Sequence, residues 1–239
     1  MGTAYALGTF NDNFCKQAGS LLALTAGLNE IQGDGAILFA LPFVLFSAWG
    51  GWLSDRLPKS RIAVWAKGME LLAMCLGAYS IIALNWGLLL LTVGLMGLQS
   101  TIFSPAINGA IPENFPAKDV PKVNAVLKVA TTLTILLGIA LGGYCLDQTW
   151  GQALLPANLP FGRVLVGLVA VFASLVGIVA VILLPRSQSA NPKVKFPLLG
   201  PLQSLKDCYL LRHEPNLALV LAALCTVAGE LPVVRVIEV

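Results

Sequence analysis

Residues 50–61 have the sequence Gly50-Gly51-Trp52-Leu53-Ser54-Asp55-Arg56-Leu57-Pro58-Lys59-Ser60-Arg61 and lie between two long apolar runs. They concentrate acidic and basic side chains, and Lys67 follows a little later. Charge is tolerated at the end of a membrane helix and costs several kcal/mol in the middle of the bilayer. We therefore predict a tight polar hairpin between two membrane-spanning helices. Because positive charge marks the inner side of a membrane protein, we expect this hairpin on the cytoplasmic side.

The composition of the chain excludes an ordinary soluble domain. Of its 239 residues, 57% are hydrophobic and only 11% are charged. A soluble globular domain carries roughly 25% charged residues. The fold class predicted from composition is therefore an all-α membrane protein.

Apolar runs of about 20 residues predict six membrane spans in residues 1–184. The spans cover about residues 4–28, 36–53, 62–84, a fourth run that follows a turn at Asn85-Trp86-Gly87 and ends near residue 112, 123–146, and 164–184. The proline-rich residues 185–216 predict a cytoplasmic linker with a short amphipathic helix. Residues 217–239 begin a further apolar run that is too short to span a membrane, and predict the truncated start of a seventh helix.

Basic residues predict the orientation of the six-span unit. Twelve Lys and Arg residues fall on one side of the predicted membrane: Arg56, Lys59, Arg61, Lys67, Lys118, Lys122, Lys128, Arg186, Lys193, Lys195, Lys206 and Arg212. The opposite side has only Arg163. We expect both ends of the six-helix unit to face the cytoplasm, in a cytoplasmic (inner) membrane.

The charged hairpin resembles the signature loop of the major facilitator superfamily. The resemblance rests on the pattern Gly51-x-Leu53-x-Asp55-Arg56-x-x-Lys59-x-Arg61, with Pro58 where that family usually has glycine. It implies the N-terminal six-helix half of a twelve-span transporter. The charges alone leave two interpretations open, an anchor in the head-group layer or a latch between two halves. The resemblance favours the latch, whose gating residues are Gly51, Asp55, Arg56, Lys59 and Arg61.

Two further stretches resemble the lysophospholipid transporter branch of that superfamily, which includes forms fused to acyltransferases. They are Phe10-Asn11-Asp12-Asn13-Phe14-Cys15-Lys16-Gln17 in the first span and Gly97-Leu98-Gln99-Ser100-Thr101-Ile102-Phe103-Ser104-Pro105, with Ile111-Pro112-Glu113 after it, in the fourth. The branch usually has Lys-Tyr two residues after this proline, where this chain has Ile107-Asn108.

The resemblance implies a secondary transporter that moves lysophospholipid across the inner membrane by alternating access. The alternatives are a transporter of another small or amphipathic solute on the same fold, or a truncated fragment that transports nothing. The implied partners are the solute, membrane lipids, and the missing C-terminal half or a partner chain. We expect no nucleic-acid partner.

Polar residues inside predicted spans are candidates for a substrate cavity, since charge that faces lipid is costly. The cavity candidates are Asn11, Asp12, Asn13, Lys16, Gln99, Ser100, Ser104, Asn108, Asn124 and Lys128. Asp12 and Lys16 are four residues apart, so they share a helix face and can pair. Together they offer both signs of charge to a zwitterionic head group; the alternative is a self-neutralising pair near the interface.

Other polar and small residues favour structural roles. Lys67 and Glu70 are expected to reach the cytoplasmic interface or support the loop. The spacings Ser47–Gly51 and Gly138–Gly142 predict close helix packing, for which the absent half is a candidate partner.

The sequence favours no enzyme, metal or cofactor. His213 is the only histidine. A fused glycerolipid acyltransferase would need an acidic residue five positions later to orient it, and that position holds Ala218. The five cysteines are scattered without the spacing of metal ligands or a redox pair.

Overall fold

The computed structural model describes residues 2–183 together with Phe196 and Gly200. Six α-helices lie in this part of the chain: α1 (Gly2–Thr25), α2 (Glu30–Arg56), α3 (Lys59–Ala83), α4 (Trp86–Asn114), α5 (Val120–Leu146) and α6 (Phe161–Ile182), with a short 3₁₀ helix, Gln152–Leu154, before α6. All six helices belong to one compact unit. Except for Phe196 and Gly200, the predicted linker and the predicted seventh helix lie outside the described residues.

The helices confirm an all-α membrane fold. Five of them, α2 to α6, are long and apolar enough to cross a membrane. The remaining helix, α1, has 24 residues, which is roughly 36 Å at ~1.5 Å per residue. Polar residues in its middle make α1 less apolar than the others. Two of these, Asn11 and Asp12, are buried inside the bundle, so their polar side chains are not on its outer surface.

The turns on either side of α3 are short, and the second carries a side-chain cap. Only Leu57 and Pro58 separate α2 from α3, which confirms the tight hairpin. Leu84 ends α3 in the left-handed conformation, with φ of +52°. The Oδ1 atom of Asn85 then accepts a hydrogen bond from the backbone N–H of Leu88 over 3.0 Å. This side-chain cap begins α4 at Trp86, inside the turn predicted from the sequence.

The helices pack in related pairs. α1 packs against α5 just as α4 packs against α2, and α3 packs against both α4 and α6. If α1, α2 and α3 are exchanged with α4, α5 and α6, respectively, the α1–α5 pair becomes the α4–α2 pair. The α3–α6 pair stays the same. This pattern is typical of two three-helix repeats. α1 contacts all five other helices, so its residues lie at the centre of the bundle.

Glycines allow α5 to approach α1 closely. A Cβ atom at Gly138 would lie 2.6 Å from the carbonyl oxygen of Phe10, and one at Gly142 would lie 2.7 Å from that of Phe14. No side chain fits at such distances, so the two backbones are in direct contact. The close packing predicted for Gly138 and Gly142 is confirmed, and the partner is α1 of the same chain.

The corresponding contact of α2 with α4 uses Gly50 and not Gly51. A Cβ atom at Gly50 would lie 2.6 Å from the carbonyl oxygen of Thr101, and one at Gly97 would overlap that of Phe39. At Gly51 an added Cβ would meet no described atom within 4 Å. Gly51 therefore makes no close helix contact within the described chain, and packing of Ser47 and Gly51 against a second half stays a prediction. One residue turns the helix by about 100°, so Gly50 faces α4 and Gly51 does not.

Candidate functional site

A buried acid on α1 is hydrogen-bonded to α4. The Oγ atom of Ser100 donates to Oδ2 of Asp12 over 3.0 Å, and Nε2 of Gln99 donates to the same Ser100 oxygen over 2.9 Å. Asp12 is 6% exposed and Gln99 is 2% exposed. The Oδ1 atom of Asp12 and the Oε1 atom of Gln99 have no hydrogen-bond partner among the described residues. Buried polar atoms are normally paired, so these two oxygens, like Oδ1 of Asn11, keep unused capacity to accept hydrogen bonds.

Lys16 lies one turn along α1 from Asp12 and contacts an aromatic ring. Its Nζ atom lies 3.8 Å from the centre of the Phe39 ring on α2. The two side chains of Asp12 and Lys16 form no ion pair in the structure, so the predicted pairing is wrong for this conformation. The reason is local: Ser100 bonds the acid, and the ring stabilises the ammonium by a cation–π contact. α1, α2 and α4 thus bring Asp12, Lys16, Gln99, Ser100 and Phe39 together, and we call these five residues the polar cluster.

Asn11, the neighbour of Asp12, points to different helices. Its Nδ2 atom donates to Oε1 of Glu70 on α3 over 3.2 Å. The same atom donates to the carbonyl oxygen of Ala170 over 3.1 Å and to Oγ of Ser174 over 2.9 Å, both on α6. Asn11 is fully buried. It therefore joins three helices and lies apart from the polar cluster, although the sequence groups it with Asp12.

Lys67 and Glu70 form a fully buried ion pair next to Asn11. The Nζ atom of Lys67 lies 2.5 Å from Oε2 of Glu70, and neither side chain is exposed. The expectation that these residues reach the interface is wrong. The space for them comes from glycine: a Cβ atom at Gly8 would lie 3.0 Å from both charged groups, and one at Gly177 would lie 3.1 Å from Nζ of Lys67. α1 and α6 thus close over the pair, which we call the α3 ion pair.

Sequence reasoning did not connect Lys67 and Glu70 with α1 and α6. One available signal was Ser174, a polar residue within the apolar stretch of α6 that follows Arg163. A second signal was the presence of glycine at Gly8 and Gly177, where a long side chain from a neighbouring helix needs room. Neither signal identifies its partner without the packing of the helices.

In the part of the chain that the structure describes, the remaining cavity candidates form no hydrogen bond or ion pair with the polar cluster. Asn13 donates to the backbone of its own helix and lies near Gly138 of α5. Farther along α4, Nδ2 of Asn108 lies 3.5 Å from Oγ of Ser104. On α5, Asn124 and Lys128 are exposed. Asn13 and Ser104 are half-buried, and Asn108 is exposed.

The hairpin residues separate into a buried and an exposed group. Lys59 is buried and forms an ion pair with Glu113 at the end of α4. This contact places the α2–α3 turn and the α4–α5 turn at the same end of the bundle. Asp55, Arg56 and Arg61 are exposed, and Asp55 forms no ion pair with any described residue. The guanidinium carbon of Arg56 lies 5.1 Å from the ring centre of Trp52, within cation–π range.

An apolar helix bundle with buried polar side chains at its centre defines an integral membrane protein. Within residues 2–183, no three His, Cys, Asp or Glu side chains are grouped so that they could hold a metal ion. Residues 6–232 match the family model described as Major Facilitator Superfamily. The chain belongs to this superfamily.

Curated relatives carry a more specific name. The chain is similar to proteins named Lysophospholipid transporter LplT from three bacteria. It is 31% identical to that of Photorhabdus laumondii over 129 residues, which cover 53% of this chain and 30% of the relative. It is 24% identical to that of Salmonella arizonae over 220 residues, which cover 81% of this chain and 50% of the relative. It is 27% identical to that of Escherichia coli over 171 residues, which cover 70% of this chain and 38% of the relative. The chain thus matches half or less of the length of these relatives.

Proposed function

We propose that the chain is the N-terminal half of a secondary transporter that moves lysophospholipid across the inner membrane. The observation that carries this proposal is the polar cluster, which presents open acceptor oxygens and an ammonium group in the centre of an apolar bundle. The names of the relatives support the substrate, since all three are called lysophospholipid transporters. The superfamily supports transport as the general activity.

The cluster suits the head group of a lysophospholipid. Such a head group carries a phosphate and, when zwitterionic, an ammonium group. Lys16 offers three N–H donors to phosphate, and the unpaired oxygens of Asp12 and Gln99 accept from an ammonium or hydroxyl group. The single acyl chain would remain against the apolar surfaces of α2 and α5, which are largely exposed in the described chain.

The hairpin would act as the gate. Lys59 is fixed by Glu113, so the α2–α3 turn is held to the end of α4. Asp55 is left exposed at the end of α2, where a carboxylate can meet the positive N-terminal end of a helix from the second half. Such a contact would form in one state and break in the other as the two halves rock around the site. The basic residues at this end of the bundle support its placement on the cytoplasmic side.

The test separates the proposal from two alternatives. In the first, the same cluster binds a small polar solute. In the second, a half bundle without its partner binds solute and does not transport it. Catalysis is not proposed, because the family and the relatives are transporters.

A flipping assay separates these possibilities. The chain is reconstituted in liposomes together with the second half that the proposal requires, and the movement of labelled lysophosphatidylethanolamine is measured for the parental protein, Asp12→Asn, and the control Asp34→Asn. Asp34 is exposed near the start of α2, so its loss tests charge alone. We expect movement by the parental and control proteins and a strong reduction in Asp12→Asn. No movement by the parental protein, or equal rates in all three, would contradict the proposal.

A further inference from the structure

The contact between Lys16 and Phe39 has the geometry of a bound ammonium ligand. Nζ of Lys16 lies 3.8 Å from the ring centre, well inside the distance of about 6 Å at which a cation is attracted to the face of an aromatic ring. Asp12 is one helical turn away, yet it bonds Ser100 instead of Lys16. The ammonium thus occupies the ring face in preference to the nearest carboxylate.

We infer that the Phe39 ring is the binding surface for the ammonium of a zwitterionic head group, and that Lys16 occupies this surface only while the site is empty. The inference rests on the proposed function and adds a choice among head groups. The bound ligand takes the place of Nζ above the ring. Lys16, whose long side chain is half-buried, then turns to the phosphate of the same ligand.

The backbone of Phe39 is packed against α4. Gly97 of α4 lies directly against the backbone of Phe39, at a separation that leaves no room for a Cβ atom. Gln99 and Ser100 follow Gly97 within one turn of α4. The ring that would hold the ammonium thus belongs to the residue packed against the segment of α4 that bonds Asp12, and this segment carries one of the oxygens that lack partners.

Charge balance makes the site selective. Lys16 and Asp12 carry one positive and one negative charge, so the empty cluster is neutral when both are ionised. A zwitterionic ethanolamine head group preserves that neutrality, since its ammonium and phosphate replace the internal contacts one for one. An anionic glycerol head group adds a net negative charge in a partly buried site, and uncompensated buried charge is costly. A neutral glycerol group also makes no cation–π contact with the ring.

The test compares two lysophospholipids that differ only in the head group. Half-saturation concentrations of lysophosphatidylethanolamine and lysophosphatidylglycerol are measured in liposomes for the parental protein and Phe39→Leu. Phe43→Leu is the matched control, because Phe43 lies beside Phe39, with ring centres 5.7 Å apart, and no cation–π contact of its own is found in the described chain. We expect Phe39→Leu to raise the value for the ethanolamine lipid by about fivefold and to leave the glycerol lipid within about twofold.

A second variant distinguishes a loss of binding from a loss of folding. Replacing Phe39 with a ring-fluorinated phenylalanine keeps its size and weakens the negative face of the ring. Loss of affinity for the ethanolamine lipid alone is expected again. Equal loss for both lipids, or no change for either, would overturn the inference while transport continues. If the parental protein moves neither lipid, the proposed function itself fails, and this outcome is distinct from the others.

Discussion

Asn11 and Asp12 are consecutive residues of α1, yet their side chains bond to different helices. Asn11 donates to α3 and α6, while Asp12 accepts from Ser100 of α4. Because neighbouring residues of a helix point about 100° apart, anchoring Asn11 fixes the rotation of α1. The same rotation directs Asp12 to α4. The buried network around Asn11 thus stabilises the orientation of the candidate site without taking part in it.

The α3 ion pair should respond differently to single and double substitution. Removing one partner, as in Lys67→Met or Glu70→Leu, leaves a buried charge uncompensated and should lower the free energy of unfolding by about 3–5 kcal/mol. The double variant removes both charges and should be markedly more stable than either single variant. Thermal unfolding in detergent measures this, with Lys122→Met at an exposed position as the control. Additive losses in the double variant would contradict a direct pair.

The contact of α5 with α1 should not tolerate a methyl group. Gly138→Ala places a Cβ atom 2.6 Å from a backbone oxygen, so one helix must move and the melting temperature should fall. Gly68→Ala is the matched control, because a Cβ atom there meets no described atom within 4 Å. Alanine is a better helix former than glycine by about 1 kcal/mol, so the control should be neutral or stabilising. A neutral Gly138→Ala would show that α1 and α5 are not in direct contact.

The proposed gate predicts that Asp55→Asn affects transport and not stability. Asp55 is exposed and unpaired within the described chain, so its loss should leave the melting temperature unchanged. A charge at a helix N-terminus contributes about 1–2 kcal/mol in a favourable, partly buried geometry. Its loss should therefore shift the balance of transport states by about five- to thirtyfold. The flipping rate measures this effect. Asp147→Asn, at the other end of the bundle, should transport normally; an equal reduction in both variants would exclude a specific gate.

Orientation can be tested by labelling single cysteines. In a variant without the five native cysteines, Trp150→Cys lies in the α5–α6 connection and should react with a membrane-impermeant maleimide added to intact cells. Lys118→Cys lies in the α4–α5 turn and should react only after the cells are opened. The reverse pattern would place the charged hairpin outside the cytoplasm and would contradict the orientation proposed from the basic residues.

Features set by local sequence were predictable. The long apolar runs between charged turns predicted the helices, and the charges of the hairpin together with Pro58 predicted its position. The spacing of Gly138 and Gly142 predicted a close helix contact, because a stripe of small residues on one face has few other uses in a membrane helix.

Features set by the packing of distant segments were not predictable. The sequence pairs Asp12 with Lys16 by spacing, but Ser100 and Phe39 lie closer to their charged groups. The sequence around Lys67 likewise does not indicate that this residue is buried, because the glycines that make room for it belong to α1 and α6. In each case the deciding partner is on another helix, and spacing within one helix cannot identify it.

The central claim is that the polar cluster binds the head group. The most direct measurement uses a lysophosphatidylethanolamine that carries a photoreactive group on its head group, followed by mass spectrometry of the labelled peptides. The account predicts labels on the α1 peptide that contains Asp12 and Lys16 and on the α4 peptide that contains Ser100, with loss of both labels in excess unlabelled lipid. Labels confined to exposed residues of α6 such as Phe172, without competition, would contradict it.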